Sequence, residues 1–454
     1  MAKLSFHGGA QQISGSCYLL ETAEAKVLVD CGLFQCPRVC EAQNYEPFTF
    51  DPASIDGVIV THAHTDHTGR IPKLFKEGFQ GMIHSTHPTK ELAHLMLRDS
   101  LGLMEREAER EGEEMIFEEE HFEKTFEHWE GHEYHHEFII GDMHIRLLDA
   151  GHVLGSAMVE IIYKDESRAQ KKIIFTGDIG NPPTPLLPPP EKISGANILV
   201  IESTYGNRDH EARDERKQKL ERAIEDTVKA KGVLMIPAFS LERTQEILYE
   251  INDLIEHGRV PMVPVFLDSP LAIRATEIYR KSDAYFNKRT RYILDSGEHI
   301  FKFPMLKFTL ATEESKAIND VPSPKVIIAG SGMSTGGRIL HHERRYLPDP
   351  HSMVLLVGYQ AAGSRGRQLQ EGAKSVEIFG EEVPVRARVE KISGYSAHPD
   401  QGMLMGIVQD SIDTLDTVFA IHGEGESALF FVQRIRDHLG IRAFAPKLGE
   451  SFDI

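Results

Sequence analysis

Cysteine is scarce in this 454-residue chain: there are four, Cys17, Cys31, Cys36 and Cys40, all in the first tenth of the sequence. A disulfide-stapled scaffold is therefore not expected, because a chain of this length buries a sizeable core unaided. Buried free thiols are the expected state. A metal or redox site is the alternative, since three of the four crowd into ten residues, although their spacing matches no zinc signature. Long apolar runs are also missing. Nothing approaches the roughly 18–20 residues of a membrane span, and the opening stretch from Met1 to Phe6 lacks a signal-peptide core. A cytoplasmic protein with no membrane partner is expected. Positive charge is in short supply too: 50 Lys and Arg against 69 Asp and Glu give a net −19, which excludes nucleic-acid binding through bulk positive charge. The deficit is uneven. From Glu105 to Glu137 there are 14 Glu against 3 Lys or Arg, a local −11, leaving −8 for the rest of the chain. A local basic groove elsewhere stays compatible with the composition.

What is present is ordinary for a globular protein, with 41% hydrophobic and 26% charged residues. The length suggests two or three domains. Residues 1–60 read as short strands and turns, with strands at 17–20, 26–30 and 57–61. Residues 88–137 read as charged helix, and the acidic run as a solvated face or lid. The histidines at its end, His121, His128, His132, His135 and His136, are expected mostly at the surface. Strand signals return at 139–140, 144–148, 157–163, 172–175 and 198–201, and six prolines between Pro182 and Pro190 mark an extended connection. From about 206 to 380 helices alternate with apolar strands: helix 211–231, strand 233–237, helix 241–257, strand 264–267, helix 271–280, strands 325–329 and 353–357. That alternation argues for a doubly wound α/β unit. Past about 385 short strands resume, with a strand at 417–421 and a last helix at 426–439.

The strongest chemical signal follows the strand at 57–60: His62, His64, Asp66 and His67 fall within six residues. Imidazole and carboxylate donors suit zinc, and on a tight loop His62 and His64 can face one ion while Asp66 and His67 face another. Further donors stand at strand ends. His152 lies in a glycine-flanked loop, Asp178 directly follows an apolar strand, and Asp30 follows another. An Asp after a strand is by itself usually a turn former. Asp178, with two oxygens, could bridge two ions, and Asp30 could orient a ligand.

This ordered set resembles the metallo-β-lactamase superfamily, an αββα sandwich with a dinuclear metal site at one edge. Its members hydrolyse lactams, thioesters and phosphodiesters, so the fold alone chooses no reaction. Three later stretches narrow the resemblance: Ile201–Gly206 with Glu202, Gly394–Asp400 with Ser396 and His398, and Ile421–Glu424 with His422. Together with Pro237–Arg243 and Gly330–Arg338 they resemble the β-CASP family, nucleic-acid-processing members with an α/β domain inserted into the lactamase fold. The resemblance covers nearly the whole chain and is nearest to the cleavage and polyadenylation nuclease subunit and its short prokaryotic relatives. It implies a lactamase domain at 1–205, a β-CASP insert at 206–385 and a lactamase completion at 386–454. It gives His62, His64 and His152 to one zinc and Asp66, His67 and His422 to a second, with Asp178 bridging. A histidine at the position of His422 is the pattern of the RNA-acting branch. The long acidic segment is a departure from the family pattern.

The implied activity is a ribonuclease that uses two zinc ions and a bridging hydroxide, leaving 5′-phosphate and 3′-hydroxyl ends, by endonucleolytic or 5′ exonucleolytic cleavage or both. Asp66, Asp178, His398 and Glu202 are the expected catalytic residues. His398, not required as a ligand, is the candidate acid, with Glu202 orienting it. The glycine-rich stretch after the strand at 325–329 is a candidate phosphate contact through Ser331, Gly332, Met333 and Arg338, with Ser396, Arg243, Arg365 and Arg367 extending it. The expected partner is RNA, with a homodimer as a candidate assembly. The rivals are a DNA-acting nuclease of the same family, a small-molecule hydrolase such as a thioesterase, and a non-catalytic RNA-binding subunit.

Overall fold

A computed structural model of the chain describes residues 2–35, 38–112, 114–210, 215–361 and 363–454. It folds into two compact units, one formed by 1–183, 188–209 and 397–454, the other by 184–187 and 210–396. The second unit extends to Ser396, past the boundary expected at 385. The strand Arg388–Lys391 adds in parallel to Met353–Leu356 and so belongs to the second unit's sheet.

The first unit holds two seven-stranded sheets. One runs Ser451–Asp453, Lys3–Gly8, Cys17–Glu21, Lys26–Val29, Gly57–Ile59, Met82–Thr86 and Trp129–His132. The other runs Arg442–Phe444, Thr417–Ile421, Ile198–Glu202, Gln170–Phe175, Ala157–Lys164, Met143–Asp149 and Phe138–Ile140. Alternate residues of both, among them Phe6, Tyr18, Val29, Ile145, Ile161, Phe175, Val200 and Phe419, share one buried core, as two face-to-face sheets require. The opposite face of the second sheet is covered by the helices Gln401–Gln409 and Gly425–Leu439 through Leu404, Val408, Ala428, Phe431 and Ile435. Strands from the C-terminal stretch thus complete both sheets, with Thr417–Ile421 parallel to Ile198–Glu202 and Ser451–Asp453 antiparallel to Lys3–Gly8.

The acidic segment is more anchored than its composition suggests. It contains the end of the helix His87–Glu111 and the helix Glu119–Glu127, whose Glu119 and Glu123 are both held by Arg98 at 2.6 Å. Phe122 is fully buried, and Phe126 stacks on Trp129. Its histidines are not all at the surface. His132 is buried, because it lies on the strand Trp129–His132 with its ring stacked on Phe138. Of the cysteines, Cys17 and Cys31 are buried free thiols, whereas Cys40 is disulfide-bonded and Cys36 lies outside the described residues.

The second unit is built on a parallel six-stranded sheet ordered Leu306–Phe308, Val265–Leu267, Lys325–Ala329, Val233–Pro237, Met353–Leu356 and Arg388–Lys391. The helices Arg216–Ala230, Arg243–Glu256, Pro270–Lys281 and Ile339–Tyr346 alternate with these strands along the chain, the doubly wound pattern read from the sequence. The helix expected from residue 211 begins at Arg216, and residues 211–214 lie outside the described ones. Among the described residues no helix is long and apolar enough to cross a membrane.

Candidate metal centre

Every expected metal ligand stands at or just past a strand end of the first unit. The loop after Gly57–Ile59 carries His62 and His64 and enters the short helix Thr65–Thr68 with Asp66 and His67. Asp178 follows Gln170–Phe175, His422 follows Thr417–Ile421, and His152 joins Met143–Asp149 to Ala157–Lys164. Backbones approach closely to bring them together. A Cβ on Gly32 would lie 1.6 Å from the carbonyl oxygen of Asp66, and one on Gly423 2.5 Å from that of Ser203. Asp30 and His422 adopt left-handed φ values of 61° and 46°, uncommon for residues other than glycine and found where surrounding structure over-determines them.

The two carboxylate oxygens of Asp178 face two different sets of donors. Oδ2 lies 3.5 Å from His62 Nε2 and 3.6 Å from His152 Nε2, and His62 Nε2 is 3.0 Å from His64 Nδ1. Oδ1 lies 3.4 Å from His67 Nε2 and 3.6 Å from His422 Nε2, and the latter is 3.8 Å from Asp66 Oδ2. Several of these atoms are buried without a hydrogen-bond partner: Asp178 Oδ1, His67 Nε2 and both ring nitrogens of His152. Burying polar atoms unpaired costs free energy, so their convergence fits a cation that would satisfy them. Burial lowers the imidazoles of His62 and His152, that of His64 to about 4 and that of His422 to about 3, keeping them in the neutral form that a metal takes.

At His67 and His422 the ring nitrogens turned away from this centre are held. His67 Nδ1 lies 2.7 Å from Asp30 Oδ2, and the Asp30 carboxylate also accepts from the Thr61 backbone N–H and hydroxyl at 2.8 Å each. Ser16 Oγ lies 3.0 Å from His422 Nδ1. Thr61 and Ser16 were not singled out from the sequence. Thr61 directly precedes His62, which is the one local signal that could have drawn attention to it. Beside the centre, His398 Nδ1 is 3.0 Å from Glu202 Oε2 and 4.0 Å from Asp178 Oδ2. Glu202 is fully buried, and its Oε1 accepts from the Ile179 backbone N–H at 2.7 Å. Burial alone would lower the His398 imidazole, but the charge and hydrogen bond of Glu202 raise it to about 9.

The expected phosphate-binding residues Ser331, Gly332, Met333, Arg338, Arg243 and Ser396 all fall in the second unit, and several already have protein partners. Ser331 Oγ accepts the backbone N–H groups of Thr335 and Gly336 at 2.9 and 3.1 Å, so the loop's amides cap its own hydroxyl. The carbonyl of Gly332 accepts from Gln360 Nε2, and that of Met333 from the Gly366 N–H. Arg338 donates to Asp268 Oδ1 at 2.8 Å and to the carbonyls of Thr309 and Leu310. Arg243 is buried against Glu246 and over the ring of Tyr395, and Arg365 donates to the carbonyls of Glu377 and Ser334. Inside the unit Arg243 and Arg338 are thus paired with carboxylates and Arg365 with backbone carbonyls, partners that composition and spacing do not reveal.

Imidazoles and carboxylates gathered around one bridging acid make this a centre suited to divalent cations. Family models agree in chain order: the metallo-β-lactamase superfamily matches residues 11–226, the Beta-Casp domain 244–369, and the Zn-dependent metallo-hydrolase RNA specificity domain 382–446. The chain is 38% identical to "Ribonuclease TTHA0252" of Thermus thermophilus over 423 residues, 93% of each protein. It is 34% identical to the "RNase J-like protein" of Methanocaldococcus jannaschii over 99% of both. It is 31% identical to "Transcription termination factor FttA" of Methanosarcina mazei over 96% of this chain and 69% of that protein. A solved structure from Enterococcus faecalis V583, described as a protein of unknown function, aligns over 99% of both chains with a TM-score of 0.59 at 14% identity, which shows the fold alone. The chain belongs to the β-CASP family of the metallo-β-lactamase superfamily.

Proposed function

We propose that this protein is a zinc-dependent ribonuclease of RNA processing or decay, acting in the cytoplasm and leaving 5′-phosphate and 3′-hydroxyl ends. The observation that carries the reading is Asp178, whose two oxygens each face a separate set of ligand-type atoms, several of them buried without partners. His62, His64 and His152 with Oδ2 would hold one ion, and Asp66, His67 and His422 with Oδ1 a second. An all-nitrogen-and-oxygen donor set without thiolate suits zinc. When bound, such a pair supplies water activation and neutralises charge that builds on the phosphoryl oxygens. RNA as the substrate is supported by the names of the relatives and by the RNA specificity domain that matches residues 382–446.

The chain's own residues supply positioning and a proton. Asp30 and Ser16 fix the Nδ1 sides of His67 and His422, so that each Nε2 points at Asp178. Glu202 takes Nδ1 of His398 and keeps the ring cationic near neutral pH, which assigns the transferable proton to Nε2. Protonating a departing 3′-oxygen there yields a 3′-hydroxyl on the upstream fragment and leaves the phosphate on the 5′ end of the downstream one. The test is His398→Ala. Metal content and RNA affinity should persist, while cleavage slows by about 10²–10⁴-fold, the usual loss of a general acid. RNA with a 3′-thiolate leaving group, which departs without protonation, should recover much of that loss. No relative gain on that substrate, with chemistry rate-limiting, would remove His398 from the role of acid.

A further inference from the structure

The first sheet ends on the strand Trp129–His132, which pairs in parallel with Met82–Thr86 so that His84 stands opposite Glu130 and Thr86 opposite His132. The two-residue period of a strand puts His84, Glu130 and His132 on one face. There His84 Nδ1 lies 2.9 Å from His132 Nε2 and 3.9 Å from Glu130 Oε2, with both imidazoles buried and the carboxylate half-exposed. Phe138 stacks on both rings, at 4.8 Å from His84 and 4.3 Å from His132, fixing their planes. One donor atom from each of the three residues falls within 4.8 Å of the others, and the group shares no member with the Asp178 centre.

The Asp178 centre supplies the measure for this cluster. Its His62–His64 nitrogen pair stands at 3.0 Å and its imidazole–carboxylate contacts at 3.4–3.8 Å. The edge cluster comes within about 0.1 Å of that spacing, with 2.9 Å between imidazole nitrogens and 3.9 Å from imidazole to carboxylate. Burial lowers the His84 imidazole to about 4 and that of His132 in the same direction, so both are neutral, as ligation requires. A hydrogen bond between two neutral imidazoles would brace the strand without any carboxylate. Glu130, set on the same face and opening to solvent, is the feature that such a bond does not need. We propose that His84, Glu130 and His132 form a further divalent-cation site, binding zinc or a similar borderline ion through two imidazole nitrogens and one carboxylate oxygen, with water completing the shell. The ion would pin the strand Trp129–His132 at the edge of its sheet, where one side of the backbone has no neighbouring strand among the described residues.

The decisive experiment is anomalous diffraction on both sides of the zinc edge, from crystals of the full chain equilibrated with buffered zinc. An anomalous peak among His84, Glu130 and His132 is the expected result, and the same map reads the Asp178 centre independently. Absence of that peak at saturating zinc overturns the proposal whatever the state of the Asp178 centre. In solution, His132→Gln should bind one zinc per chain fewer than the unsubstituted protein and keep its ribonuclease activity. Unchanged stoichiometry in a folded His132→Gln protein equally overturns it. Should that variant fail to fold, Glu130→Gln, altering a half-exposed side chain, should weaken the same zinc equivalent alone, and an unaltered affinity would count against the site.

Discussion

The Asp178 centre of the first unit and the Asp268 cluster of the second treat their buried polar groups in opposite ways. Around Asp178 the first unit gathers imidazoles and carboxylates and leaves several of their atoms without partners. In the second unit, Asp268 is met by Arg338 at 2.8 Å, His342 at 2.7 Å, Thr309 at 2.7 Å and Ser315 at 2.6 Å. Those four hydrogen bonds outweigh burial and hold the Asp268 carboxyl at about 2. Both places collect polar residues near strand ends, and by residue type alone they look alike. The difference is satisfaction. A fully partnered cluster fixes a fold, whereas convergent unpartnered atoms ask for a ligand.

The sharpest way to break this contrast is at the bridging acid. Asp178→Asn removes the charge that both donor sets face, so RNA cleavage should fall below detection and metal content should drop, as read by elemental analysis. Retention of metal and full activity would make the convergence structural. Next, Asp30→Ala frees His67 Nδ1 and should weaken metal affinity by about 10–100-fold, the usual effect of losing a carboxylate behind a histidine ligand. A competing chelator titration measures it.

The second unit should respond in stability rather than in activity. Arg243→Met removes the ion-pair partner of buried Glu246 and leaves it only the interaction with Arg216, at a cost of up to about 3–5 kcal/mol in denaturant unfolding, with the RNA affinity of the folded protein unchanged. A fall in affinity without a fall in stability would restore Arg243 as a phosphate contact. The smallest effect concerns Glu343, which burial raises to about 7 against a hydrogen bond from Ser334. Its folded form holds a proton that the unfolded form has lost above about 4.5, so its contribution is full below that pH and declines until about pH 7. Glu343→Gln should flatten that decline, so wild type and variant should differ in the slope of Tm against pH between those limits.

The candidate ligand set was largely legible because its core is contiguous: His62, His64, Asp66 and His67 share one loop, and a nearby strand end announces each remaining candidate donor. The arginines were not legible in the same way. Arg338 meets Asp268 across 70 residues, and nothing in the local sequence of either names the other. The charged surroundings of His132 did not mark it as the buried one among the five histidines of its segment, and it is the pairing of its strand with Met82–Thr86 that buries it against His84, 48 residues away. The extent of the second unit to 396 was hidden for a related reason: the strand at 388–391 is short and charged, and only its parallel partner shows which sheet it joins.

By itself the sequence determined the alternation of strands and helices, the order of the metal donors and the pairing of His398 with an acid. These follow from periodicity and from motifs that keep their meaning along the chain. The tertiary structure alone decided which oxygen of Asp178 faces which histidines, which cations are neutralised, and which histidines meet across an edge. Those are facts about distances between residues far apart in the chain, and they arise only when the sheets pair and pack.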